Sequence, residues 1–337
     1  AAAPPEATAK RRRRKAAAEH NVRGAKAIMC IEGVTTRVSK KRRKRYLKQG
    51  ATRGECATPT TSTTPAPVCV PTCPAEGCGA ANGCGGTCGC PSGSVCNAGV
   101  CDACTVTCTG TPAECGATLA TAMYSGGTVL VCPGTYAGNF LPPTLGLTMT
   151  LIGAGNGADP ATNTIITQTA DTRAIFTFSV AGQTLSFRNV RITGGNYSGG
   201  AGAMTIVHAT ISVALIDSVI TGNAGLYGGL YLNQGSLSLT GCEVTTNTAS
   251  SDGGGIRTFG PLTLTDTLVS GNTSGANGGG IYVSGSTTTL AANVTITGNT
   301  ATGANSGGGV YVNGGTFNRN GATISGNTPD DCQGAGC

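Results

Sequence analysis

Five times between residues 221 and 327 the chain returns to one phrase: Thr221-Gly222-Asn223, Thr245-Thr246-Asn247, Ser270-Gly271-Asn272, Thr297-Gly298-Asn299 and Ser325-Gly326-Asn327. The asparagines are spaced by 24, 25, 27 and 28 residues. Between them runs a second phrase, Gly228-Gly229-Leu230, Gly253-Gly254-Gly255-Ile256, Gly278-Gly279-Gly280-Ile281 and Gly307-Gly308-Gly309-Val310. One such repeat cannot bury its own apolar face, so the chain is constrained to a solenoid in which each repeat is one coil. From Gly127 to about Asn327 strand-like segments alternate with Gly/Asn/Ser turns, as at Thr128–Val131, Leu147–Ile152, Ile211–Ile220 and Asn293–Thr297. Roughly 200 residues at about 25 per coil predict about eight coils, a rod of about 35–40 Å at ~4.8 Å per strand.

Terminal coils need caps, or they expose core and strand edges. Thr111-Pro112-Ala113-Glu114 has the form of a capping box with proline at the first helical position. Cys115, Leu119, Ala122 and Met123 then share one face of a helix ending near Gly126, placed to plug the first coil. At the other end, a Cys332–Cys337 disulfide is expected to close the chain. The predicted class is therefore all-β: a β-helix over residues 109–337 with a short N-terminal capping helix, preceded by small disulfide-rich modules.

Charge separates those modules from the body. Residues 1–55 hold 17 of the 22 Lys/Arg and 4 of the 15 Asp/Glu, a formal +13, whereas the rest holds 5 basic and 11 acidic residues, −6. Residues 1–28 offer little apolar surface and are expected to be a disordered basic leader, whose first residues could be the remnant of an export signal. Residues 29–56 form a Cys-to-Cys module with a Cys30–Cys56 disulfide expected, a strand over Ile31–Val38 and a short helix over Lys40–Gln49 with Ser39 as N-cap. Residues 57–68 are a Thr/Pro linker, and residues 69–108 are tied by cross-links rather than by a core. Of 17 cysteines, 12 lie between Cys56 and Cys115 with no histidine among them, which favours disulfides over a metal site and an oxidising compartment. Cys242 stands apart, in the slot of Ser218 and Thr267, as a buried free thiol. No apolar run reaches 18 residues, so no transmembrane segment is expected, and the location predicted is secreted or cell-surface.

Short motifs carry resemblances. The segment from Cys30 to Cys56 resembles a motif near the N-termini of bacterial exported proteins. The Gly-Gly-Gly-Ile phrases and Phe317-Asn318-Arg319-Asn320, with Leu290-Ala291-Ala292-Asn293 as a weaker match, resemble the repeats of polymorphic outer-membrane proteins. Val131-Cys132-Pro133-Gly134-Thr135-Tyr136 resembles the first-coil phrase of pectin-lyase-like proteins. The resemblance covers about 60% of the chain and implies a right-handed parallel β-helix; it implies no activity, because that fold hosts lyases, hydrolases, adhesins and proteins without chemistry.

Two repeated columns compete for function. Asn223, Asn247, Asn272, Asn299 and Asn327 are expected to stack as a structural ladder of side-chain amides in a turn. The residues after each glycine run, Tyr231, Arg257, Tyr282 and Tyr311, with Thr205 one coil earlier, point outward if Leu230, Ile256, Ile281 and Val310 point in. Two positions on stand Asn233, Phe259, Ser284 and Asn313. Aromatic and amide groups in such a stripe suit a linear polysaccharide; the alternative is self-stacking that only stabilises the sheet. Lyase or glycosidase chemistry would require convergent carboxylates. Asp217 and Asp266 share a phase two coils apart, Glu243 does not, and His208 stands alone. The expectation is an exported, non-catalytic structural or adhesive protein without cofactor or metal, binding polysaccharide through the stripe; the alternative is a polysaccharide lyase or glycoside hydrolase. The leader lacks interleaved aromatics, so an anionic envelope polymer or lipid head group, not nucleic acid, is its expected partner; the alternative is a merely solvated, disordered stretch.

Overall fold

A computed structural model describes the backbone of residues 27–31, 34–38 and 52–53, and residues 78, 90–91, 93–97, 99–170, 173–303 and 306–337. The chain divides into two compact units, Ala1–Cys69 and Val70–Cys337. The expected Cys30–Cys56 disulfide, the Lys40–Gln49 helix, the linker and most of the leader lie outside the described residues.

In the first unit, β1 (Ala27–Ile31) pairs antiparallel with β2 (Val34–Val38) and with β3 (Thr52–Arg53). The strand expected over Ile31–Val38 is thus broken, since Ile31 pairs back with Val34 in antiparallel register.

The second unit is a parallel β-solenoid of about eight turns. Each full coil contributes one strand to each of four walls. Wall 1 stacks eight strands from Gly127–Val131 to Gly315–Asn318, and wall 2 eight from Gly134–Ala137 to Thr323–Ser325. Wall 3 stacks seven from Phe176–Phe178 to Cys332–Gly334, and a short wall of two-residue strands runs from Asn196–Tyr197 to Thr300–Ala301. Inward residues such as Leu239, Val244 and Ile256 are fully buried and form one continuous core. The segment Ile211–Ile220, which reads as one strand, is two: Asp217 takes a left-handed φ of 47° and turns the chain from wall 1 to wall 2. Asn189, Asp266 and Asn320 bend other coils with φ of 52°, 47° and 43°. Asn and Asp tolerate that region better than other residues bearing a Cβ.

The asparagine ladder is continuous. Asn223 Nδ2 donates to Asn247 Oδ1 at 3.0 Å, Asn247 to Asn272 at 3.0 Å, Asn272 to Asn299 at 2.9 Å and Asn299 to Asn327 at 2.9 Å. The same Oδ1 atoms accept the backbone N–H of the preceding asparagine, while Nδ2 also donates to a carbonyl of the coil before, as from Asn272 to Val244. Gly195 N–H opens the chain on Asn223 Oδ1, and Asn327 Nδ2 ends it on the Asp331 carboxylate at 3.1 Å. Every amide of the ladder is therefore satisfied.

Both ends are closed. Helix α1 (Pro112–Ser125) carries the Thr111/Glu114 capping box and turns Cys115, Gly116, Leu119 and Met123 onto the first coil. Gly116 is required, since a Cβ there would overlap the Ala137 carbonyl. The Thr111 hydrogen bonds hold the Glu114 carboxyl below its ordinary range. Disulfides Cys104–Cys132 and Cys108–Cys115 cross the boundary expected at residue 108, so the cysteine-rich segment is stapled to the helix and the first coil. Tyr136, fully buried, donates its hydroxyl to the carbonyls of Val106 and Cys132, and burial pushes its pKa up to about 12. Cys332–Cys337 closes the other end.

Candidate functional site

Wall 3 positions the stripe. Leu230, Ile256, Ile281 and Val310 are buried to 0% exposure, which fixes the next residue in each strand outward. Strand register puts Thr205, Tyr231, Arg257, Tyr282, Tyr311 and Gln333 in a single column. The preceding glycine runs let the coils approach: a Cβ on Gly254 or Gly279 would overlap a glycine carbonyl of the next coil.

The rings form one cluster. Tyr282 and Tyr311 stack with centroids 5.6 Å apart and planes 16° apart. Phe259 lies 6.3 Å from Tyr231 and 6.5 Å from Tyr282, and Tyr227 lies 4.4 Å from Tyr231. The Arg257 guanidinium sits among them, its Cζ 4.0 Å from the Tyr227 centroid, 4.9 Å from Phe259, 5.2 Å from Tyr282 and 5.9 Å from Tyr231. Rings stacked along the rod axis cover one another's faces, and Tyr282 is only 6% exposed. At the Tyr282–Tyr311 pair the stripe thus presents ring edges rather than the open faces expected of a row of platforms, whereas Tyr231 and Phe259 meet edge to face with planes 80° apart.

Its polar groups are unevenly satisfied. Tyr231 donates its hydroxyl to Asn233 Oδ1 at 2.9 Å; burial, then the neighbouring Tyr227, raises its pKa, and Arg257 opposes the rise. Burial and the Asp252 carboxylate raise the Tyr282 pKa against the effects of Arg257 and a hydrogen bond with Asn313. Arg257 has a single ionic partner, Asp252 Oδ2 at 3.8 Å, beyond hydrogen-bonding distance. Its Nε is buried without a partner. Asp252 is itself held by the next coil, its Oδ1 accepting from Asn277 N–H at 3.1 Å and Asn277 Nδ2 at 3.0 Å. Phe259 and Asn233 are half-buried on this face, and Asn313 is exposed.

Tyr227, Asp252 and Asn277 are functional candidates that the sequence pattern missed. Each immediately precedes a glycine run, a position as periodic as the stripe itself, but their chemical types differ from coil to coil. Alignment on the glycines, rather than on residue likeness, would have found them.

The carboxylates do not converge. Asp217 and Asp266 are exposed turn residues of walls 1 and 2, with Gly241 in the coil between them, while Glu243 lies within wall 2 beside Val219 and Leu268. His208 Nδ1 accepts the Thr210 backbone N–H at 3.3 Å within a turn. The Sγ atoms of Cys78, Cys90 and Cys101 lie within 4.8 Å of one another, yet they belong to the disulfides Cys78–Cys96 and Cys90–Cys101. Cys242 is free and buried, its thiol directed at the Thr240 carbonyl where Ser218 and Thr267 bond to the equivalent carbonyls, and burial pushes its pKa up to about 11. No helix among the described residues is long and apolar enough to cross a membrane. No protein family matches this chain, and comparison with curated proteins and with solved structures gives no match either.

Proposed function

We propose that the chain is an exported, non-catalytic β-helix protein: a rigid rod for structure or adhesion at a cell surface, contacting glycan through the Tyr231/Arg257/Tyr282/Tyr311 face. The single observation that carries the binding half is the Arg257 cluster. A guanidinium ringed by four aromatic side chains, with its Nη2 3.8 Å from the Asp252 carboxylate and side-chain amides at both ends of the column, offers the mixed apolar and polar surface that sugars require. The rod half is supported by the unbroken amide ladder and the closed ends, and export by the disulfides. The phrases resembling polymorphic outer-membrane and pectin-lyase-like proteins support a right-handed coil, the hand that parallel crossovers almost always take. A glycan array tests the face: binding is expected for the native chain and is lost when the four stripe residues become Ala. Binding that survived that change would remove this face from consideration. The basic leader, at +13 over residues 1–55, fits an electrostatic tether to anionic envelope polymer. Retention on anionic liposomes should fall with salt and disappear when those residues are deleted.

A further inference from the structure

The stripe has a length and a charge, and both bear on its ligand. Tyr231-Leu232-Asn233 and Tyr311-Val312-Asn313 occupy equivalent positions on wall 3, three strands apart, which is about 14 Å along the axis. Each pairs a phenol with an amide two residues on, the spacing that puts both side chains on one face. Between them lies the partly exposed Arg257–Asp252 pair, a guanidinium and a carboxylate 3.8 Å apart. Amides at the two ends and a charged pair between them supply both donors and acceptors along the line, which matches sugar hydroxyls that both give and take hydrogen bonds.

Charge argues against a polyanion. Arg257 is the only cation of the stripe, and Asp252 stands 3.8 Å from it. Residues 56–337 carry 5 basic against 11 acidic side chains, −6, so a uronate or sulfated chain would approach a like-charged body. A neutral chain meets no such field.

Resting on the glycan-contact reading above, we infer that the ligand is a neutral linear polysaccharide lying along the rod axis, held at the Tyr231/Asn233 and Tyr311/Asn313 ends with the Arg257–Asp252 pair between them. Titration calorimetry of the full chain with graded neutral β-glucan oligomers and with oligogalacturonates, in low and high salt, tests it. Affinity should rise with neutral oligomer length until the chain spans both ends, and stay within about twofold across the salt range. Asn313→Ala, at an exposed position, should weaken the long oligomer about tenfold, while Thr316→Ala on the neighbouring wall should leave it unchanged. Oligogalacturonate bound in a salt-sensitive way but unaffected by Asn313→Ala is assigned to the +13 segment and leaves the inference standing. A preference for the oligogalacturonate that Asn313→Ala abolishes, a steep salt dependence of neutral-oligomer binding, or an unaltered neutral-oligomer affinity in Asn313→Ala would overturn it while leaving glycan contact standing. No binding of either class, with array binding also missing, would defeat the glycan-contact reading itself.

Discussion

Two columns run through the same coils, the asparagine ladder in a turn and the Tyr/Arg stripe on wall 3, and they end in opposite states. In the ladder each amide gives and accepts every hydrogen bond it has to offer, and Asn247, Asn272 and Asn299 are 0% exposed. In the stripe the rings satisfy one another, but Arg257 has only a long ion pair and an orphaned Nε. Regularity alone therefore does not distinguish scaffold from site. What distinguishes them is whether the column buries and pairs its polar side chains, as the amides do, or keeps polar side chains at the surface, as at the exposed Asn313.

The largest effect should come from breaking the ladder. Asn272→Ala leaves the Asn247 N–H without an acceptor, its amide with only the Ile220 carbonyl, and the Val244 carbonyl and Asn299 Oδ1 without the Asn272 side-chain donor, all buried. At roughly 1–3 kcal/mol per buried unsatisfied group, the loss should be about 4 kcal/mol in denaturant unfolding. A loss under about 1 kcal/mol would show that the ladder is ornament rather than scaffold.

A smaller effect concerns the buried column beside it. Burial raises the Cys242 pKa from its ordinary 9.0 to about 11, so above pH ~9 the unfolded chain releases a proton that the folded chain keeps. Stability due to this thiol is fully present below that pH and declines as pH rises toward 11, by about 3 kcal/mol. Cys242→Ser, the residue already present at 218, should flatten that decline; an unchanged slope would assign it to other groups.

The smallest effect has the opposite sign. Thr246 holds φ 51° where other coils place Gly222, Gly271, Gly298 and Gly326 at 62°, 62°, 63° and 70°. A β-branched residue in that region is strained, so Thr246→Gly should stabilise by about 1 kcal/mol despite losing a 2.8 Å bond to Thr221 Oγ1. Destabilisation would mean that the hydroxyl pair outweighs the strain.

These residues also mark how far the sequence was legible. Period, coil count, the α1 capping box and the outward column all follow from residue type at fixed spacing, because a solenoid maps sequence phase directly onto position. The bend at Asp217 was hidden because apolar residues stand on both sides of the Asp217-Ser218 pair, and the turn shows only in the left-handed φ of Asp217. The disulfides that cross residue 108 were hidden because pairing depends on the close approach of loops rather than on spacing. In the stripe, the column was readable but ring orientation was not. Whether a tyrosine offers its face or its edge depends on χ angles set by the neighbour one coil away, and Tyr282 on Tyr311 turns both faces along the axis.

The central claim, that one column is scaffold and the other a contact face, is tested most directly by measuring glycan affinity and unfolding free energy together on Tyr311→Ala. Tyr311 stacks on one ring at the end of the column, so its loss should cost only about 1 kcal/mol of stability. The account predicts that glycan affinity nevertheless falls about tenfold or more. Full affinity retained alongside a stability loss of several kcal/mol would contradict it and make the stripe a second scaffold.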